Sequence, residues 1–219
     1  MGRCADGYGS RSASYAGYNK MIQFDDRSLE DADTLVVAFT GIHHGLGQIP
    51  FEFYRSLRGT CALFVSDRSQ RWYQNGVAEI VERIGTATKE TGSKKLVLIG
   101  NSMGGFAALL FGSLCDADHI LAFAPQTTII PEQTDALGDA RWQQYQREMD
   151  NIPFGDVAVL PAPASTHIIY GEESVLDKAH AIRLGWPCQI TPVAGADHGP
   201  AAVLRAKGEL IPLLQQIVT

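Results

Sequence analysis

The sequence predicts an α/β protein with a mostly parallel central sheet and helices on both faces. Short apolar runs recur along it and stop at Gly, Pro, Ser or Asp, as expected of strands buried on both faces. Segments with helical periodicity lie between them, and such alternation gives a doubly wound sheet whose ligands bind beyond the carboxyl ends of the strands. A third observation is the string Gly-Asn-Ser-Met-Gly at 100–104, where one strand gives way to a helix.

Residues 1–20, rich in Gly, Ser and Tyr, read as a loose segment with no apolar stretch long enough for a signal peptide. A first strand is expected at 21–24. TLVVAF at 34–39 is a second and stops at Thr40-Gly41; CALFV at 61–65 is a third and stops at Ser66-Asp67. KLVLI at 95–99, HILAF at 119–123, THIIY at 166–170 and residues 188–193 complete the strands, each read as buried. Helices are expected at 77–89, where Val77, Ile80, Val81 and Ile84 fall at i, i+3, i+4 and i+7, and at 105–114, small and apolar throughout. Two more are expected at 176–184 and 201–218. Residues 126–163 break the rhythm: the stretch has no clear strand, carries Trp142 and Tyr145, and has room for a helix at 139–149. So long an excursion reads as a cap or lid on a single domain spanning 21–219.

Bulk properties narrow the function. The 219 residues suffice for one domain with a full core, and 45% hydrophobic with 19% charged residues reads as globular and soluble. A net charge of -6 with no basic run argues against a nucleic-acid partner, and no run approaches a membrane span. Cys4, Cys61, Cys115 and Cys188 form no CxxC pair and read as free thiols, which suits a reducing, cytoplasmic compartment.

The string at 100–104 fits G-x-S-x-G in the strand–turn–helix context that this motif needs. A serine on a strained turn requires small residues two positions away on either side. Its Oγ then stands clear of the sheet, and the following helix aims free N–H groups and a positive dipole end at the same place. Ser102 is therefore the candidate nucleophile. Among six histidines, His198 fits the base: its loop follows the last strand and lies at the same carboxyl edge. His119 and His167 begin strands at the opposite edge, His180 lies inside a helix, and His43 and His44 follow an early strand. The orienting acid should follow the strand at 166–170. Asp177 is favoured there because a short side chain at a helix start, held by backbone N–H groups, is easily fixed; Glu173 and Glu172 remain alternatives. Two N–H donors should form an oxyanion hole: Met103 supplies one, and the loop after 34–39 the other, through Ile42 or else Gly41. His43 and His44 read as pocket wall rather than metal ligands, since no third ligand is suitably spaced. His43, Trp142 and Tyr145 are the candidate substrate contacts, with Phe51 and Phe53 either pocket or core.

With these residues in place the chain resembles the α/β-hydrolase superfamily from residue 21 to residue 219. The elbow at 100–104, the late acid loop and His198 follow the order Ser, acid, His that the superfamily uses. It departs in two places: Thr40-Gly41 stands where many members have His-Gly, and Ser174 stands three residues past Gly171, where an Asp is usual. The resemblance implies an α/β-hydrolase fold with a small cap, and a serine hydrolase for an ester, thioester or amide of a small molecule. No metal or organic cofactor is implied. An acyltransferase using the same residues is the first rival, and a non-catalytic binding protein on the same fold is the second.

Overall fold

In a computed structural model of the protein, residues 21–42 and 51–218 are described; the expectations for residues 1–20, and for Cys4, His43 and His44, lie outside them. The described residues form a seven-stranded sheet in the order β1-β3-β2-β4-β5-β6-β7. The strands are β1 (Ile22–Ser28), β2 (Thr34–Phe39), β3 (Ala62–Asp67), β4 (Lys95–Asn101), β5 (His119–Phe123), β6 (Thr166–Gly171) and β7 (Gln189–Val193). All neighbours are parallel except β1, which lies antiparallel against β3. β1 runs beyond the apolar residues that announced it. At an antiparallel edge the ladder alone sustains pairing, and polar residues on the open side cost nothing in burial. β7 corrects the expectation of burial: it is the other edge, and Ile190 is well exposed.

Alternation along the central strands sends successive side chains to opposite faces, giving two cores. Leu35, Val37, Phe39, Leu63 and Leu98 face α1 (Val77–Thr91), α2 (Met103–Leu114) and α5 (Val175–Arg183). Val36, Ala38, Phe64, Val97 and Ile99 face α6 (Pro200–Ala206) and α7 (Leu210–Val218). α2 is buried almost entirely, as its all-apolar sequence required. Its large side chains, Phe106, Leu109, Leu110 and Phe111, each contribute roughly 1.5–3 kcal/mol by burial. Phe51 and Phe53 belong to the second core, against Phe64 and Phe123.

The expected helix at 201–218 is two helices. Gly208 adopts φ 75°, a left-handed conformation that ends α6 and turns the chain into α7. The excursion after β5 holds α3 (Pro131–Ala136), α4 (Gln143–Arg147) and a short 3₁₀ turn at Val157–Val159. The helix expected at 139–149 shrinks to α4. Asp139 turns its carboxylate onto the backbone N–H and guanidinium of Arg141, a local bond that competes with helical pairing. Arg183 of α5 holds the base of the excursion through Asp156 (2.8 and 2.9 Å) and Gln133 (3.1 Å).

Candidate active site

Ser102 occupies the tip of the β4–α2 turn at φ 54° and ψ -117°, a conformation costing about 1–3 kcal/mol in a non-glycine residue. Backbone bonds hold it there: its N–H donates to Phe123 O (2.8 Å), and its carbonyl accepts from Phe106 N–H (3.0 Å). The flanking glycines are required by contact. A Cβ on Gly100 would lie 2.0 Å from Gly104 O, and one on Gly104 would lie 2.4 Å from Phe39 O.

Three of the singled-out residues meet at this turn. His198 Nε2 lies 2.9 Å from Ser102 Oγ, and His198 Nδ1 lies 2.9 Å from both carboxylate oxygens of Asp177. An ionised carboxylate can only accept, so Nδ1 carries the proton and Nε2 presents its lone pair to the serine hydroxyl. Asp177 is fully buried, while Glu172 and Glu173 are exposed and offer their backbone N–H groups to Val193 O and Ala196 O. Burial alone would raise the Asp177 carboxyl; hydrogen bonds and charge from His198 and Arg141 overcome it and hold the group below the usual carboxylate range.

The means of holding Asp177 differs from expectation. The helix cap is Ser174, whose Oγ accepts from Asp177 N–H at 3.3 Å. The carboxylate is gripped by a guanidinium, Arg141 Nη1, at 2.8 Å from Oδ1.

The loop after β2 comes to the same place. Gly41 N–H donates to the Glu52 carboxylate at 2.9 Å, which leaves Ile42 as that loop's candidate oxyanion donor opposite Met103. Met103 opens α2, where the first N–H groups have no partner within the helix. Gly41, Ile42, Glu52, Asn101, Ser102, Trp142 and His198 line a pocket of about 450 Å³. Trp142 packs its ring 6.1 Å from the His198 ring, whereas Tyr145 stands behind it against Trp142 and does not line the pocket. A second hollow of about 430 Å³ opens at the amino end of the sheet beside Cys115; burial pushes that thiol up to about 11, so it is not a thiolate at neutral pH. Among the described residues no group of three His, Cys, Asp or Glu is placed to hold a metal, and no helix is long and apolar enough to cross a membrane.

The sequence pattern of the uncharacterised protein family UPF0227 matches residues 65–199, more than half of the chain, from the end of β3 to the loop that carries His198. The chain belongs to UPF0227. No curated protein matches this member in sequence. In structure it is similar to the capsule O-acetyltransferase of Neisseria meningitidis serogroup A, at 14% identity over 89% of this chain and 90% of that one, with a TM-score of 0.64. It is also similar to FphF, a fluorophosphonate-binding serine hydrolase of Staphylococcus aureus, at 15% identity over 88% and 91% of the two chains, TM-score 0.59. A third likeness is to XC6422 of Xanthomonas campestris, described as an α/β serine hydrolase without lid: 13% identity over 90% and 88%, TM-score 0.54. This UPF0227 member has the α/β-hydrolase fold.

Several residues around this candidate site went unmarked in the sequence. Gln126 Nε2 donates to Ser102 Oγ at 3.2 Å, and its carbonyl accepts from Trp72 Nε1. Tyr73 accepts Thr40 N–H at 2.9 Å and donates back to Thr40 O at 2.8 Å, fixing the end of β2. Glu52 keeps some exposure as a residue, but burial of its carboxyl pushes the group up to about 7. Gln126, just past the Ala124-Pro125 stop, carried the one readable signal: it begins at the carboxyl end of a strand, where ligands of this architecture bind.

Proposed function

We propose that this UPF0227 member is a serine hydrolase that cleaves an ester or thioester of a small molecule through an acyl-enzyme. The observation that carries the reading is the continuous relay from Ser102 through His198 to Asp177, each link at 2.9 Å. Ser102 Oγ attacks the carbonyl carbon while its proton passes to His198 Nε2. The carbonyl oxygen takes up the negative charge and receives N–H groups of Met103 and Ile42, with the positive end of α2 behind it. The tetrahedral intermediate collapses, the bond to the leaving oxygen or sulfur breaks, and His198 returns the proton to that atom. Water then attacks the acyl-Ser102 ester by the same route, releasing the acid. Asp177 keeps the imidazole in its Nδ1–H form and balances the imidazolium.

The pocket supports a small acyl group. At about 450 Å³ it is modest. Acyl transfer is the second reading, favoured by the likeness to a capsule O-acetyltransferase. Assay with p-nitrophenyl esters and acyl thioesters of graded chain length, with and without alcohol or amine acceptors, tests both. Turnover that falls with acyl length and ignores acceptors supports hydrolysis; product formed only with an acceptor supports transfer; no turnover of any acyl donor refutes both.

A further inference from the structure

We propose that Arg141, brought in by the excursion between β5 and β6, is a positioning residue for the triad acid, and that Asp139 and His180 hold it in place. The proposal rests on the serine-hydrolase reading above. Arg141 Nη1 donates to Asp177 Oδ1 at 2.8 Å. The rest of the guanidinium forks onto Asp139, Nε to Oδ1 at 2.9 Å and Nη2 to Oδ2 at 2.7 Å. A planar fork bonded on two sides has little freedom, which suits a part that must fix a carboxylate.

The support continues inward. Asp139 Oδ2 meets His180 Nε2 at 3.1 Å, and both residues are buried. Thr127 N–H points at His180 Nδ1 from 3.1 Å, so Nδ1 must hold a lone pair and the ring proton sits on Nε2, directed at Asp139. From Thr127 to Ser102 the chain of bonds is continuous: Thr127, His180, Asp139, Arg141, Asp177, His198, Ser102.

Charge counting shows why Asp139 belongs to it. Arg141 Nη1 lies 3.1 Å from His198 Nδ1, whose proton points to Asp177, so neither nitrogen donates to the other. A lone cation there would oppose the imidazolium that forms during the reaction. Asp139 cancels that cation, and one net negative charge, that of Asp177, remains for the imidazolium. Burial pushes the Asp139 carboxyl up, but bonds from His180 and Arg141 hold it well below the ordinary value, so it carries its charge at every working pH. The next residue, Trp142, is pocket wall, so one step of the excursion sets both the acid's clamp and a boundary of the substrate site.

The test measures kcat and KM for p-nitrophenyl acetate across pH 4.5–9 in the wild type, Arg141→Met, Arg141→Gln and Arg141→Lys. Arg147→Met is the control: it lies in the same excursion, and its Nη2 bonds Gln143 Oε1 at the surface. The groups facing Asp177 are His198 and Arg141, with Asp139 and His180 behind. Removing the cation lets the Asp177 carboxyl take up a proton at higher pH. Loss of a positioning contact that shifts the acid by a fraction of an ångström to an ångström costs about 10–100-fold. Arg141→Met should therefore lower kcat about 10–100-fold, leave KM within about twofold and move the acid limb of kcat/KM upward. Arg141→Lys should recover part of kcat, and Arg147→Met should match wild type. Arg141→Gln carries the same comparison if the Met variant does not fold. A folded neutral variant with wild-type kcat and an unmoved acid limb, or with a loss confined to KM, overturns the proposal. Labelling of each protein with a fluorophosphonate separates the two levels: if wild type does not label, the hydrolase reading fails and takes this proposal with it; if it labels and turns over while the neutral variants are unaffected, this proposal alone fails.

Discussion

Gly171→Ala should damage catalysis far more than stability. Gly171 ends β6, and the loop carrying His198 rests directly on it. A Cβ there would lie 1.7 Å from Asp197 O and 2.4 Å from Ala196 O. Ordinary contact between a methyl and a carbonyl oxygen is about 3.5 Å, so the loop or the strand end must give by roughly 1.8 Å. The strand end cannot easily give: Gly171 pairs with Val193, and Glu172 and Glu173 donate to Val193 O and Ala196 O. The loop therefore moves, and His198, the residue after Asp197, moves with it. Overpacking of this kind costs about 1–3 kcal/mol, and in a chain of this size each kcal/mol lowers Tm by about 2–4 °C. A displacement of about 1 Å between base and nucleophile costs about 10² in rate or more. Gly85→Ala is the control: its Cβ meets nothing within 4 Å, in the exposed interior of α1, and should gain about 0.5–1 kcal/mol with kcat unchanged. Esterase kinetics and thermal melts on both variants decide. A folded Gly171→Ala protein with kcat within a few-fold of wild type would refute the idea that this backbone contact places His198.

Two further outcomes test the site. Asp177→Asn should lower kcat about 10⁴-fold by releasing the imidazole tautomer, whereas Glu172→Gln and Glu173→Gln, exposed in the structure, should change it less than about tenfold; a crippled Glu173→Gln beside a near-normal Asp177→Asn would move the acid role to Glu173. Burial raises the Glu52 carboxyl from 4.5 to about 7, so between these values the folded chain keeps a proton that the unfolded chain has lost. Stability should therefore fall as pH rises through that window, with the penalty complete above it. Glu52→Gln removes that slope, and melts at pH 5 and pH 8 check it: an equal fall in both proteins contradicts the assignment.

The sequence made the architecture legible wherever burial wrote a simple pattern. The apolar runs at 34–39, 95–99 and 119–123 and the all-apolar helix after Ser102 could only be interior. Edge strands were harder, because β1 and β7 draw their order from a ladder on one side rather than from burial on both. A single left-handed glycine, Gly208, split the last helix, and nothing in the periodicity of 201–218 competes with it. At the site, Ser102, His198 and Asp177 were readable because the elbow fixes a strand end and the order of later loops fixes the rest. Arg141, Asp139, Gln126 and Glu52 were not. Each sits in a long excursion or loop, and its role exists only through partners distant in sequence, such as Arg141 to Asp177 or Trp72 to Gln126.

The central claim is that Ser102 is a nucleophile activated by His198. Its most direct measurement is intact-mass and peptide-level analysis after exposure to a fluorophosphonate at neutral pH. The account predicts one stoichiometric adduct on the peptide bearing Ser102, none on Ser102→Ala, and labelling slowed by orders of magnitude on His198→Ala, with both variants melting as cooperatively as wild type. An adduct on another residue, or a Ser102→Ala protein that still labels and turns over ester, would contradict it.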